Sequence, residues 1–169
     1  MQADDTRLSW NGLAAGGGLL LALDRAAWPL REAGVLLDGL HFEPKRELHV
    51  TLLTRAQAQT LAALGVDPRA LRLLAEPLQW SWRARDEAWR LRRQRDGSEV
   101  QSLIVRIDMP AQSDWRHILG ERFGVDLGEP VPHLTLYTLG DPNGISVPNR
   151  LAFEALRMER VSMRSLRAT

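Results

Sequence analysis

Two short segments of the chain carry the same polar pair at the same spacing. His49 and Thr51 lie in the segment Leu-His-Val-Thr-Leu-Leu, and His133 and Thr135 lie in the segment Pro-His-Leu-Thr-Leu-Tyr. Both segments are short, apolar and β-prone, and residues two apart on a strand point to the same face. Each segment therefore predicts a strand with an imidazole and a hydroxyl on one face and apolar anchors on the other.

This pair of residue types suits acid–base chemistry on a phosphodiester. An imidazole titrates near neutral pH, so it can serve as a base in one place and as an acid in another. Two imidazoles on opposite sides of a phosphodiester can activate a nucleophile and protonate the leaving alkoxide. Two threonine hydroxyls can donate to the non-bridging oxygens, where charge develops. This chemistry needs neither a metal nor a cofactor, and we expect none.

The two motifs resemble those of the two-histidine (2H) phosphoesterase superfamily, whose members have a LigT-like fold. The motifs stand here as His-Val-Thr-Leu and His-Leu-Thr-Leu, and His133 lies 84 positions after His49. The proline before His133 and Tyr137 after it also resemble the family's usage. The resemblance implies a bilobal α+β fold, with two antiparallel sheets flanking a central cleft that both motif strands face.

The resemblance also implies a reaction and a set of roles. The expected activity is hydrolysis of a cyclic (2′,3′-type) or 2′,5′-linked phosphodiester of a nucleotide or RNA end. His49 and His133 would be the catalytic pair, and Thr51 and Thr135 would bind phosphate. An RNA 2′,5′-ligase and a nucleotide- or RNA-binding module without turnover are the alternatives. The remaining alternative is a structural protein in which the two motifs occur by coincidence. Both motifs are intact, which favours catalysis.

Other polar residues are weaker candidates. Tyr137 follows the second motif and is a possible substrate contact or a packing residue. Lys45 and Arg46 precede the first motif strand and are possible phosphate contacts or solvated loop cations. Four arginines that alternate with apolar residues form either a track for RNA or a solvated outer face; these are Arg83, Arg85, Arg90 and Arg92.

The first half of the chain predicts a strand followed by helices around the first motif. A strand over 19–23 precedes a helix capped by Asp24. The motif strand over 48–53 precedes a helix over 55–64, which begins after Thr54 and closes at Gly65. The pair Asp67-Pro68 begins another helix that runs to about Glu76.

The second half predicts a long hairpin before the second motif. The apolar alternation of Trp80, Trp82 and Ala84, then of Trp89 and Leu91, predicts a half-buried ribbon. It turns at Asp96-Gly97 and returns over 100–109. A helix from Ser113 to Phe123, a strand over 131–139 and a turn over 141–144 follow. The tail over 151–166 has both helical and strand spacings. Hairpins mixed with a few helices favour an α+β fold.

Composition limits the classes of function. A chain of 169 residues predicts one domain over 19–169 after a flexible lead-in over 1–18. The net charge of +1 gives no general field for nucleic acid, and without cysteine there is no disulfide or thiolate nucleophile. The longest apolar run is too short to cross a bilayer, and we see no signal peptide. We expect a cytoplasmic, soluble monomer whose partner is a nucleotide or RNA, with no role for DNA or a membrane.

Overall fold

The computed structural model describes residues 7–9 and 18–168, and over this part of the chain the fold is α+β. The strands are β1 (Arg7–Ser9), β2 (Leu19–Leu23), β3 (Val35–Leu37), β4 (Leu40–Pro44), β5 (Leu48–Leu53), β6 (Arg83–Arg95), β7 (Ser98–Asp108), β8 (His133–Leu139) and β9 (Arg157–Val161). The helices are α1 (Arg55–Ala63), α2 (Pro68–Ala75), α3 (Pro110–Phe123), α4 (Arg150–Leu156) and α5 (Met163–Leu166). No helix in this part of the chain is long and apolar enough to cross a membrane.

The strands form two antiparallel sheets. A three-stranded sheet has the order β1-β2-β5, and a six-stranded sheet has the order β3-β4-β8-β7-β6-β9. The first motif strand, β5, is thus the last strand of the small sheet, while β8 lies between β4 and β7 in the large one. Although they belong to different sheets, β5 and β8 lie next to each other. The topology therefore brings the two His-x-Thr segments together from distant parts of the chain.

Several predicted elements are confirmed, with the local chemistry that predicted them. Thr54 caps α1 in a reciprocal capping box with Gln57, and Asp67 caps α2, which has a proline in its first turn. The β6–β7 hairpin turns at Asp96 and Gly97, both with positive φ (50° and 78°), as a two-residue turn that matches strand twist requires. The strand over 19–23 is also present, but Asp24 caps only a 3-10 turn over Arg25–Ala27 rather than a longer helix.

The predicted start of α3 is wrong. The helix begins at Pro110 rather than after Ser113, because proline fits the first turn and Met109 stands before it without a side-chain cap. It ends as expected at Phe123, where Gly124 adopts the left-handed conformation. The ambiguous tail over 151–166 forms α4, β9 and α5, so its helical and its strand spacing apply to successive segments.

The alternating tryptophans do not all belong to the predicted ribbon. Trp80 and Trp82 precede β6, which begins at Arg83. Trp82 is buried and stacks on Trp28 with ring centroids 6.1 Å apart, and Trp80 meets the edge of Trp115 at 5.9 Å. Apolar burial, and not strand pairing, therefore places these rings.

The predicted common face of four arginines does not form, because the bulge in β6 has two extra residues rather than one. Ala84 pairs with Ile107 and Ala88 with Val105, so three residues of β6 stand opposite the single residue between them on β7. A bulge with one extra residue would bring both arginine pairs to one face of the sheet. Because this bulge has two, Arg83 and Arg85 lie on the other face from Arg90 and Arg92.

Arg90 is instead a buried structural side chain. Its guanidinium bonds Gln101 at 2.6 Å, Asp38 at 2.6 Å and Glu159 at 2.9 Å, which joins β6 to β7, to β9 and to the turn before β4. It also lies over the ring of Phe42, 5.7 Å from the centroid. Arg83 and Arg85 pair with Asp108, and Arg92 lies 3.8 Å from Glu99.

Part of the predicted flexible lead-in over 1–18 is a strand. β1 pairs antiparallel with β2, with Leu8 opposite Leu21. Residues 1–6 and 10–17 lie outside the described part of the chain.

The described residues bury two apolar clusters. The larger runs through both sheets and α1 to α3, and includes Val50, Leu52, Leu134 and Trp115. The smaller lies between the six-stranded sheet and α4, and includes Ile104 and Phe153. Both motif strands therefore have core on at least one face, which fixes which side chains point away from it.

Removing Arg90 tests whether this side chain is structural. Arg90→Ala takes the donor from Gln101, which is only 1% exposed, so we expect the free energy of unfolding to fall by about 1–3 kcal/mol. Arg92→Ala removes the same charge from an exposed position and should change it by about 0.5 kcal/mol or less. Urea denaturation of both variants measures the difference, and equal losses would contradict the assignment.

Candidate active site

The first motif strand presents its polar pair away from the core. Leu48, Val50 and Leu52 of β5 are buried, while His49 and Thr51 are partly exposed. This is the alternation that the sequence predicted. On the neighbouring strand β2, Ala22 pairs with His49 and Leu20 with Thr51.

The second motif holds its histidine in one tautomer. His133 is only 7% exposed, and its Nδ1 lies 2.7 Å from the carbonyl oxygen of Val131. A carbonyl oxygen only accepts, so Nδ1 carries the hydrogen and donates it. In the neutral ring, Nε2 is then left with a lone pair, which is the form of imidazole that accepts a proton.

Both imidazoles have a lowered pKa. Burial lowers the pKa of His133 from 6.5 to about 4; the charges of Arg106 and His49 lower it further, while the hydrogen bond to Val131 opposes the shift. Burial also lowers the pKa of His49, with the charge of Lys45 adding to the effect and Glu47 opposing it. Because the charge of His49 acts on His133, the two rings lie within electrostatic reach of each other.

Helix α3 holds the unpaired edge of the first motif strand. The Gln112 amide donates to the carbonyl oxygens of Thr51 and Leu52 at 3.0 and 3.2 Å. The Arg116 guanidinium donates to Leu52 at 3.2 Å and to the carbonyl of Pro148 at 2.8 Å. Burial lowers the pKa of Arg116 to about 10, so it remains a cation at neutral pH.

The sequence of α3 carries a signal for these two residues. Gln112 and Arg116 are spaced with Trp115 and Leu119 as i, i+3, i+4 and i+7, so polar side chains stand within the buried stripe of α3. Buried polar side chains need partners, and carbonyls at a strand edge provide them. Such a stripe predicts a helix that binds backbone, but it does not say which strand.

Of the two predicted cations before β5, only Lys45 contacts the second motif strand and the turn after it. The Lys45 amide donates to the carbonyl of Leu136 at 2.8 Å, and its ammonium donates to that of Pro142 at 2.7 Å. Lys45 therefore joins the start of β5 to β8 and to the turn that follows it. Burial lowers the pKa of Lys45, while Asp141 and Glu47 oppose this shift. Arg46 is exposed, and the two cations line a surface cavity of about 730 Å³.

Tyr137 does not share the face of His133, although its spacing of four residues would place it there on an unbroken strand. Leu103 of β7 pairs with Tyr137 but the next residue, Ile104, pairs with Thr135, so β8 has one extra residue at Leu136. This bulge turns Tyr137 into the core, where it is fully buried. Its hydroxyl donates to the carbonyl of Leu166 at 2.6 Å and accepts from the amide of Arg31 at 2.8 Å. Tyr137 is a packing residue that joins β8 to α5.

The predicted turn after β8 packs on Thr135. Gly144 closes this turn by donating to the carbonyl of Asp141 at 3.0 Å. Its φ is +78°, and a Cβ there would lie 3.0 Å from Ser102 Oγ and 3.3 Å from the methyl of Thr135. Glycine is therefore needed for the turn to approach the second motif this closely.

Arg106 is a charged residue beside the second motif that the sequence did not single out. It pairs directly with His133 across β7 and β8, so the two side chains share a face. No periodicity or motif marks Arg106, because its position depends on the register between strands that lie far apart in the chain.

No protein-family model, no curated protein and no solved structure matches the chain. Over the described residues, no group of three or more His, Asp or Glu side chains is arranged to hold a metal ion. What the site can do follows from its own side chains.

The buried neutral state of His133 predicts a dependence of stability on pH. Its pKa is about 4 in the folded protein and near 6.5 when unfolded, so below pH 6.5 the unfolded chain binds more protons. Stability should fall as pH drops from 6.5 towards 4. Between pH 7.5 and 4.5 we expect protonation of His133 to cost the wild type roughly 2–3 kcal/mol of its free energy of unfolding. His133→Asn, whose amide can still donate to Val131, should not show this part of the loss.

Denaturation in urea at the two pH values measures this effect. His117→Asn is the matched control, because His117 is exposed on α3. An identical pH dependence in the wild type and His133→Asn would contradict the buried neutral state.

Proposed function

We propose that the protein is a metal-independent phosphoesterase that hydrolyses a cyclic (2′,3′-type) or 2′,5′-linked phosphodiester of a nucleotide or RNA end. The observation that carries the proposal is that two His-x-Thr strands, from two sheets, lie next to each other. The charge of His49 is also one of the causes that lower the pKa of His133. In this proposal the two sheets are the lobes of a LigT-like fold, and the phosphate sits in a cleft between them. The motif resemblance supports this arrangement.

The burial and the tautomer of His133 support different roles for the two histidines. His133 is buried and neutral, and its Nε2 has a lone pair, so it acts as the base that takes a proton from the attacking water. His49 is less buried and acts as the acid. As the water oxygen bonds to phosphorus, the P–O bond to the leaving 2′ or 3′ oxygen breaks, and His49 gives that oxygen its proton. Water thereby supplies a hydroxyl to phosphorus and, through the histidines, a hydrogen to the leaving group.

The threonines stabilise the negative charge that develops on the phosphate. Each lies two residues after its histidine, so on β5 Thr51 shares the outer face with His49, and on β8 Thr135 shares the face of His133 and Arg106. Hydroxyl donors at fixed positions stabilise charge on non-bridging oxygens without reorganising during the reaction. The rigidity of both strands, anchored in the core, supplies that fixed geometry.

The first test is loss of turnover on removing either imidazole. His49→Ala and His133→Ala should each lower kcat by roughly 10²–10⁴, the usual contribution of one general acid or base. The double variant should lose much less than the product of the single losses, because the two groups act as a unit. The assay uses a panel of nucleoside 2′,3′-cyclic phosphates and 2′,5′-linked dinucleotides, with products resolved so that ligation would be seen.

Two controls give this test its specificity. His117→Ala should retain full activity, and activity should be unchanged in EDTA. Folded histidine variants that keep near wild-type turnover, or activity that a divalent ion restores after chelation, would contradict the mechanism. Tight binding of these ligands with no turnover would favour the binding module instead.

Replacing a threonine tests the phosphate contact separately. Thr51→Val and Thr135→Val keep the shape of the side chain and remove the hydroxyl, so we expect the activation barrier to rise by about 2–4 kcal/mol. Thr51→Ser and Thr135→Ser keep the donor and should retain most of the activity. Single-turnover kinetics of the four variants decides the point; serine variants as impaired as the valine variants would assign the threonines a packing role.

A further inference from the structure

Arg106 has a charge that the proposed reaction does not use. It stands opposite His133 on the adjacent strand, and its guanidinium lies over the ring of Phe153, 5.0 Å from the centroid. The stack on Phe153 holds the plane of the guanidinium in place. A guanidinium fixed by its face still has its edge free for paired hydrogen bonds to an oxyanion.

Within the described residues, Arg106 has no ion-pair partner and no side-chain hydrogen bond. Its Nε is buried and lacks an acceptor there. Burial lowers the pKa of Arg106, with Arg85 and Arg150 adding to the effect and Glu87 and Asp108 opposing it. A guanidinium stays charged in proteins, so this buried donor lacks the acceptor that such groups usually have.

Arg106 lines a surface cavity of about 430 Å³ together with three other arginines. Each of those three is neutralised by a carboxylate that also lines the cavity. Arg85 bonds Asp108 at 2.6 Å, Arg150 lies 3.2 Å from Glu129, and Arg157 lies 2.5 Å from Glu154. Of the described cations around this cavity, Arg106 is the one without a carboxylate.

Pro132 also lines the cavity, so the cavity adjoins the start of the second motif strand. We infer that Arg106 binds a second phosphate of the ligand, next to the phosphodiester held by the two motifs. This inference rests on the proposed function and narrows it: the ligand is a nucleotide end that carries a further phosphate, and not a bare nucleoside cyclic phosphate. A single unpaired arginine beside three neutralised ones selects one extra phosphate rather than a long polyanion.

Binding of product-like nucleotides tests the inference without requiring turnover. Calorimetry compares adenosine 3′,5′-bisphosphate and 2′,5′-bisphosphate with the corresponding 3′- and 2′-monophosphates. For the wild type we expect the second phosphate to tighten binding by about tenfold or more, the scale of a hydrogen-bonded charge pair. In Arg106→Gln the bisphosphates should bind like the monophosphates, while monophosphate affinity changes little.

Matched variants separate recognition from general charge. Arg93→Gln removes the same charge from an exposed position on β6 and should keep the preference for bisphosphates. Arg106→Lys keeps the charge but loses the paired donors, so its preference should be intermediate. Thermal unfolding checks that each variant is folded. If Arg106→Gln does not fold, the comparison of the two ligand classes on the wild type still tests the inference.

The outcomes distinguish this inference from the proposed function. Wild-type protein that binds bisphosphates and monophosphates equally, or binds neither, overturns the role of Arg106, even if cyclic phosphodiesters are hydrolysed. An Arg106→Gln variant that weakens both ligand classes to the same degree overturns it as well, because Arg106 would then only position His133. A preference that depends on Arg106 in a protein without hydrolytic activity supports the second-phosphate site and refutes the proposed reaction.

Discussion

The candidate site depends on which groups donate hydrogen bonds to the backbone carbonyls at the edge of β5. Among the described residues this strand pairs only with β2, on one side, so the carbonyls on its other side need donors from elsewhere. Helix α3 provides them through Gln112 and Arg116, and Arg116 also binds the carbonyls of Leu127 and Pro148, in the segments before and after β8. One buried cation thus joins the first motif strand to both flanks of the second. The relative position of the two imidazoles depends on this contact.

Burial of His133 has a cost for folding and a consequence for chemistry. Its ring is kept from water and receives one hydrogen bond partner, so the protonated form is disfavoured by burial and by the nearby cations. The same conditions keep the neutral ring in a single tautomer with Nε2 unprotonated. Phosphate binding would add negative charge beside both rings, which raises the pKa of each, so that His49 holds its proton before the reaction and His133 can accept one.

Local chemistry predicted more of this molecule than long-range pairing did. The two motif strands, the capped starts of α1 and α2 and the turn at Asp96-Gly97 follow from residues close in sequence. Bulges in β6 and β8 could not be predicted, because they arise from the register between strands. The bulge in β8 moves Tyr137 off the site, and the bulge in β6, which has two extra residues rather than one, leaves the four arginines on two faces. The same register places Arg106 beside His133.

The central claim is that one phosphate is bound between His49 and His133. Nuclear magnetic resonance of the ring nitrogens of the four histidines, during titration with adenosine 3′-monophosphate, tests it most directly. The account predicts that both His49 and His133 signals shift with one dissociation constant, that His133 carries its hydrogen on Nδ1 before the ligand is added, and that the exposed His41 and His117 do not respond. A response from only one of the two motif histidines, or from neither, would contradict the account.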